Sequence, residues 1–222
     1  AVEDDYLEKN QFTMEYIKHN EESKDMQVWT PYEFHKFISV VEDKSDALVF
    51  QLLYWTGMRK GELMALKFEN IDLEKNEIHI RHNYDYRNHM LTSPKTTNSS
   101  RDITMTKQLK KLLEEYINHY SGLACFSKNN FLIGIDKPLS TTTLERKKNY
   151  YCKLAGVNKI RIHDFRHSHV SLLIDMKQQV FTIAKRLGHS PDMVNNTYGH
   201  LFKEAQIRMA DDLSALIDEY AY

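Results

Sequence analysis

The apolar residues of this chain keep a helical spacing almost everywhere and abandon it once, between Glu77 and Met105. That single change of period, from about 3.6 to 2, sets the expected fold class: mainly α, with a small antiparallel three-stranded β-sheet. On the helical side, Thr30-Pro-Tyr-Glu33 reads as a capping box with Pro at the first helical position, followed by Phe34, Phe37, Ile38 and Val41 at helical steps. A second helix is expected over 45–56, ended by Gly57 as a left-handed cap, and a short one resumes at Gly61. Further helices are expected over 106–120, 140–154, 163–175, 180–187 and 200–219. Inside the exception, Ile78 and Ile80 alternate with His79 and Arg81, while Met90-Leu91-Thr92 and Ile103-Thr104 supply two more strands around the polar turns 85–88 and 96–100.

With 222 residues, 41% hydrophobic and 27% charged, the chain can bury the core of one large domain. No apolar run approaches the ~20 residues of a membrane-spanning helix. Two cysteines, Cys125 and Cys152, cannot build a disulfide framework, and point to a reducing cytoplasm. The opening AVEDDYLEKN has neither an initiator Met nor a signal pattern, so the chain reads as a piece of a longer protein.

The near-neutral total of −1 hides an uneven distribution. Residues 1–25 hold eight acids against three bases, residues 141–190 hold ten Lys and Arg against three acids, and the tail after Gly199 holds five acids against two bases. A basic block between acidic flanks suits a DNA-facing surface with protein-facing ends, or equally a solvated helix face.

Several polar residues sit where packing alone would not place them. Arg59 follows the Gly57 cap in TGMRKGEL beside Glu62, and Lys95 lies in the turn SPKTTNSS. His163 and Arg166 are three apart in HDFRHSH, hence on one helical face. His189 follows a Gly in RLGHS, and Tyr198 lies in NNTYGH, just past the short helix that Ser190-Pro191 opens. Separately, each has an ordinary reading. Arg59 and Glu62 could be a surface ion pair, Lys95 a turn lysine, Tyr198 a packing residue. His163, His167, His169, His189 and His200 could be metal ligands, but no cysteine or carboxylate completes a set at the usual spacing, and His163/His167 lacks the HExxH glutamate.

Taken in order, TGMRKGELMALKFENID, the turn lysine, IRIHDFRHSHVSLLI, RLGHS and TYGHL resemble the tyrosine recombinases, the phage integrase family, over about residues 26–210. The segments MQVWTPYEF and NYDYRNHMLTSPKTTNSSRDI resemble the branch from bacterial phages and conjugative transposons. The resemblance implies the catalytic-domain fold of that family over 26–199. It makes residues 1–25 a linker or the end of a missing N-terminal DNA-binding domain, and 200–222 a C-terminal helix exchanged with a neighbouring protomer. It implies Arg59, Lys95, His163, Arg166, His189 and Tyr198 as catalytic, Tyr198 as the nucleophile and Glu62 as a support, with no metal and no cofactor. The partners it implies are a double-stranded DNA recombination site, a homo-oligomer assembled on that DNA, and an excisionase or host DNA-bending protein, with no membrane. One departure is Lys177-Gln178-Gln179, where many relatives carry a Gly; it touches none of these positions.

The residue types fit the chemistry. Opening a phosphodiester without metal requires fixed cations on the non-bridging oxygens, and two arginines offer planar donor forks that stay charged. A phenol with an ordinary pKa of ~10 needs a base and a cationic field, which His163 and the arginines could supply. By resemblance, Lys95 protonates the leaving 5′-oxygen and His189 hydrogen-bonds the phosphate. Two other readings stay open: a type IB topoisomerase-like relaxing enzyme, and a regulator that binds DNA without cutting. DNA binding by this chain should be weak and fall steeply with salt, because little net positive charge is available. Nanomolar binding near 0.15 M salt, measured by fluorescence anisotropy, would contradict this reading of the charge.

Overall fold

The computed structural model describes residues 26–93, 99–124 and 126–220. Lys95, Cys125 and the whole of 1–25 therefore lie outside the described residues. Helices α1 (Pro31–Ile38), α2 (Lys44–Thr56) and α3 (Lys60–Ala65) lead into a β region, which is followed by α4 (Lys107–Ser121), α5 (Thr141–Ala155), α6 (Asp164–Asp175), α7 (Val180–Leu187) and α8 (Pro191–Tyr220). The capping box forms as the sequence implies: Glu33 N–H donates to Thr30 Oγ1, and Thr30 N–H donates to Glu33 Oε2 at 2.9 Å. No described helix is long and apolar enough to cross a membrane.

The strands are β1 (Ile71–Asp72), β2 (Glu77–Ile80), β3 (Asn83–Asp85), β4 (Met90–Thr92) and β5 (Arg101–Thr104). A three-stranded antiparallel sheet is present, but its membership differs from the expected one. Its order is β1-β2-β5, while Met90–Thr92 pairs with Asn83–Asp85 in a separate ribbon. Burial explains the choice. Ile78 faces Ile71 on one side and Ile103 on the other, and Ile78, Ile80 and Ile103 are all buried. Strand β1 is too short for alternation to reveal, and β3 is the polar Asn-Tyr-Asp.

Two apolar clusters hold the fold. The larger packs Trp29, Phe34, Phe37, Phe50 and Phe165 with the sheet's isoleucines and the inner faces of α2 and α4. The smaller joins Val170 and Ile174 of α6, Ile183 and Leu187 of α7, and Val194 and Tyr198 of α8. The smaller cluster accounts for a second difference from the sequence reading. Tyr198 and Gly199 lie inside one continuous helix, not between two. A mid-helix glycine costs only about 1 kcal/mol, and the packing of Val194 and Tyr198 on α6 and α7 outweighs that.

Two glycines permit close approaches beside α3. Gly57 ends α2 at φ +66°, and a Cβ there would sit 2.6 Å from His169 Cδ2. At Gly61 a Cβ would meet Asn83 Oδ1 at 2.1 Å, so its bareness lets the β3–β4 ribbon dock on α3. We expect Gly57→Ala to destabilise the fold by roughly 2–4 kcal/mol, combining left-handed strain with overpacking. Urea unfolding measures it, and a loss below about 1 kcal/mol would show that the turn yields cheaply.

Candidate active site

Arg166 projects from the first turns of α6 and is 2% exposed. Its Nη1 donates to the Gly57 carbonyl at 2.7 Å and its Nη2 to the Leu187 carbonyl at 2.8 Å. Nη2 also lies 2.9 Å from His189 Nε2. A guanidinium can only donate, so His189 Nε2 accepts and its proton sits on Nδ1. That Nδ1 is buried and has no hydrogen-bond partner among the described residues. One buried cation thus ties the α2–α3 turn to the end of α7 and to His189. Burial, then repulsion from Arg59, lowers the Arg166 pKa, yet a guanidinium starts high enough to stay charged.

Arg59, half-buried at the start of α3, gives its Nη1 to Glu62 Oε1 at 2.7 Å and its N–H to Glu62 Oε2 at 2.8 Å. Glu62 is itself buried and is gripped from the other side by Arg101, whose Nη1 and Nη2 donate at 3.0 and 2.9 Å. Arg101 is anchored in turn by its Nε on the Arg186 carbonyl at 2.7 Å. Burial alone would raise the Glu62 pKa, but the hydrogen bonds and charges of Arg101 and Arg59 overcome it and hold it at about 2. Arg59, Glu62 and His189 line a cleft of about 430 Å³, together with Ser93 and Ser99, the residues on either side of 94–98.

His163 stands exposed just ahead of α6, its ring edge-on to His167 at 4.7 Å between centroids. Desolvation, with Arg166's charge next, pulls its pKa down; the same causes bring His189 to about 4. Tyr198 is 2% exposed and does not line the cleft. Its hydroxyl lies 2.7 Å from His167 Nδ1. Burial raises the Tyr198 pKa to about 12, against the opposing pull of Arg166, and burial, then His163, lowers His167 to about 4.

The structure therefore gathers Arg59, Glu62, Arg166 and His189 directly, sets His163 beside them, and connects Tyr198 through His167. Reasoning from sequence missed two of these partners. The sequence reading gives Arg101 no role: it precedes Ile103-Thr104 as a charge, and it is buried where β5 begins. His167 was weighed only as a metal ligand. Among the described residues, the ligand atoms that gather within 4.8 Å are those of Glu77, His79 and Asp102, on the sheet, where Arg81 already pairs with Asp102.

Residues 27–205 match the profile of the phage integrase family. The ICEBs1 integrase of Bacillus subtilis (strain 168) is 37% identical over 207 residues, covering 87% of this chain and 56% of that protein. A XerC-like tyrosine recombinase of Caldanaerobacter subterraneus subsp. tengcongensis is 25% identical, covering 97% of this chain and 62% of that protein. The chain thus spans somewhat over half the length of these relatives. The Tn1549 transposon integrase, solved in complex with transposon right end DNA, superposes with a TM-score of 0.70 at 22% identity, covering 84% of this chain and 66% of that one. XerA recombinase does so at 0.67 and 23%, covering 84% and 64%. These two likenesses establish the fold.

Because the folded Glu62 pKa lies below the unfolded value near 4.3, its stabilisation is full above that value and is lost as pH falls towards about 2. The stability gap between wild type and Glu62→Gln should shrink by the order of 3 kcal/mol between pH 5 and pH 2. A gap independent of pH in urea titrations would show that the two arginines do not hold the carboxylate charged.

Proposed function

Since the chain belongs to the phage integrase family, we propose that it is the DNA-cleaving part of a site-specific recombinase, cutting and rejoining duplex DNA through a covalent 3′-phosphotyrosine to integrate or excise a mobile element. The observation that carries this reading is the Arg166 junction: one buried guanidinium fixed to Gly57, Leu187 and His189, with Arg59 facing the adjoining cleft. One cation lining the cleft and a second bonded to His189 on its wall suit a phosphate whose non-bridging oxygens gain charge in the transition state, and a donor aimed beforehand, as Arg59 is by Glu62, needs no reorganisation at that moment.

In this reading Arg59 and Arg166 hold the scissile phosphate, with Arg59 aimed by Glu62. His189 adds a hydrogen bond to the phosphate, and His163 serves the nucleophile's proton. Tyr198 attacks phosphorus, forming the Tyr–O–P bond as the bond to the 5′-oxygen breaks. Lys95 returns a proton to that oxygen, and the serines flanking 94–98 line the cleft where it would act. Rejoining reverses the exchange, with a 5′-hydroxyl displacing the tyrosine. The apolar residues Met209, Leu213, Leu216, Ile217 and Tyr220 stand exposed along the end of α8, which supports its exchange with a neighbouring copy in an oligomer on DNA.

A duplex nicked near the cut site traps the covalent intermediate, because the short fragment that should rejoin diffuses away. Wild type should form the adduct, Tyr198→Phe should form none, and Arg59→Lys should slow it by roughly 10²-fold or more, the scale of losing one transition-state donor. An adduct that survives Tyr198→Phe, or a cleavage rate untouched by Arg59→Lys, would refute the assignment.

A further inference from the structure

The hydroxyl assigned as nucleophile is not hydrogen-bonded to the cations that would activate it. Arg166 donates to Gly57, Leu187 and His189, and Arg59 to Glu62; among the described residues, no hydrogen bond from either reaches Tyr198. The Tyr198 hydroxyl oxygen instead lies 2.7 Å from Nδ1 of His167, the residue next to Arg166 on α6. Both rings are enclosed: His167 is 9% exposed and Tyr198 2%, and the Tyr198 ring sits among Val170, Ile174, Leu187 and Val194. Met26, where the described chain begins, packs on the same cluster.

We infer that His167 is a latch on the nucleophile: it accepts the Tyr198 hydroxyl hydrogen bond and parks the phenol in the α6–α7–α8 cluster, so that attack requires the bond to break first. This rests on Tyr198 being the nucleophile. A base would also stand at hydrogen-bond distance from the phenol, but the surroundings work against proton transfer here. Burial disfavours both the imidazolium and the phenolate that transfer would create, and His163 adds its own repulsion to the imidazolium. The contact therefore keeps the proton on oxygen and the oxygen out of the cleft. His167 acts through Tyr198 as a positioning residue, and removing its acceptor should speed the reaction where removing a base would slow it.

The test uses the 222-residue chain as wild type, His167→Leu, which fills the space without an acceptor, and His167→Asn, whose side-chain oxygen can still accept. Nitration by tetranitromethane without DNA, read by peptide mass spectrometry, reports each phenol separately. Tyr32, 71% exposed, is the reactive reference, and Tyr54, fully buried, is the control for an intact fold. Relative to Tyr32, Tyr198 should nitrate at least about fivefold faster in His167→Leu, the factor one neutral hydrogen bond represents. Tyr54 should stay unreactive, and His167→Asn should stay near wild type. On the nicked duplex, His167→Leu should form adduct faster than wild type by a similar factor. Unchanged Tyr198 nitration, a rise matched by Tyr54, or slower adduct formation from His167→Leu would each overturn the latch while leaving the nucleophile in place. Adduct from none of the variants would overturn the nucleophile, and the latch with it.

Discussion

Everything near the cleft depends on one guanidinium being unable to find water. Arg166 is buried, and a buried cation without partners is far too costly to persist, so its donors must be met by fixed groups. The fold supplies two backbone carbonyls, at Gly57 and Leu187, each where a helix ends and its last carbonyls have no partner of their own. The left-handed glycine caps at Gly57 and Gly188 are thus part of the charge's solvation, and two helix ends cannot drift apart without exposing it.

The same charge organises its neighbours. Because Arg166 offers only donors, His189 must present a bare nitrogen, which leaves its single proton on the other side of the ring. Arg59 would repel Arg166 across this site, and Glu62 offsets that by sitting between Arg59 and Arg101. Arg101 belongs to β5, so the sheet helps hold the position of a side chain on α3. A small sheet in a helical protein is here a brace for one carboxylate.

Much of this was legible in the sequence, and the failures share a cause. The capping box, the Gly57 stop, the seven helices from α1 to α7 and the Arg59–Glu62 pair follow from local rules, which act over three or four residues. Strand partnership is not local. Met90–Thr92 and Ile71–Asp72 exchanged places because burial beside Ile78 decides the pairing, and no pattern within either segment records it. The break expected between the Ser190-Pro191 helix and the helix over 200–219 is absent for the same reason: the cost of Gly199 is intrinsic, while the packing that overrides it comes from α6 and α7. Arg101 and His167 were invisible as partners because Glu62 is thirty-nine residues from the first and Tyr198 thirty-one from the second. Chain order singled out the arginines and histidines and was silent about which nitrogen faces which oxygen.

The continuity of α8 changes what the tail can do mechanically. Thirty residues at about 1.5 Å each make a rod of roughly 45 Å, pivoting where Val194 and Tyr198 are wedged. Had the chain broken at Gly199, a pull on the tail would have been absorbed by a joint. In an unbroken rod, a small tilt at the far end becomes torque on the phenol's own turn, and Gly199 marks the turn that yields first if the load is too great.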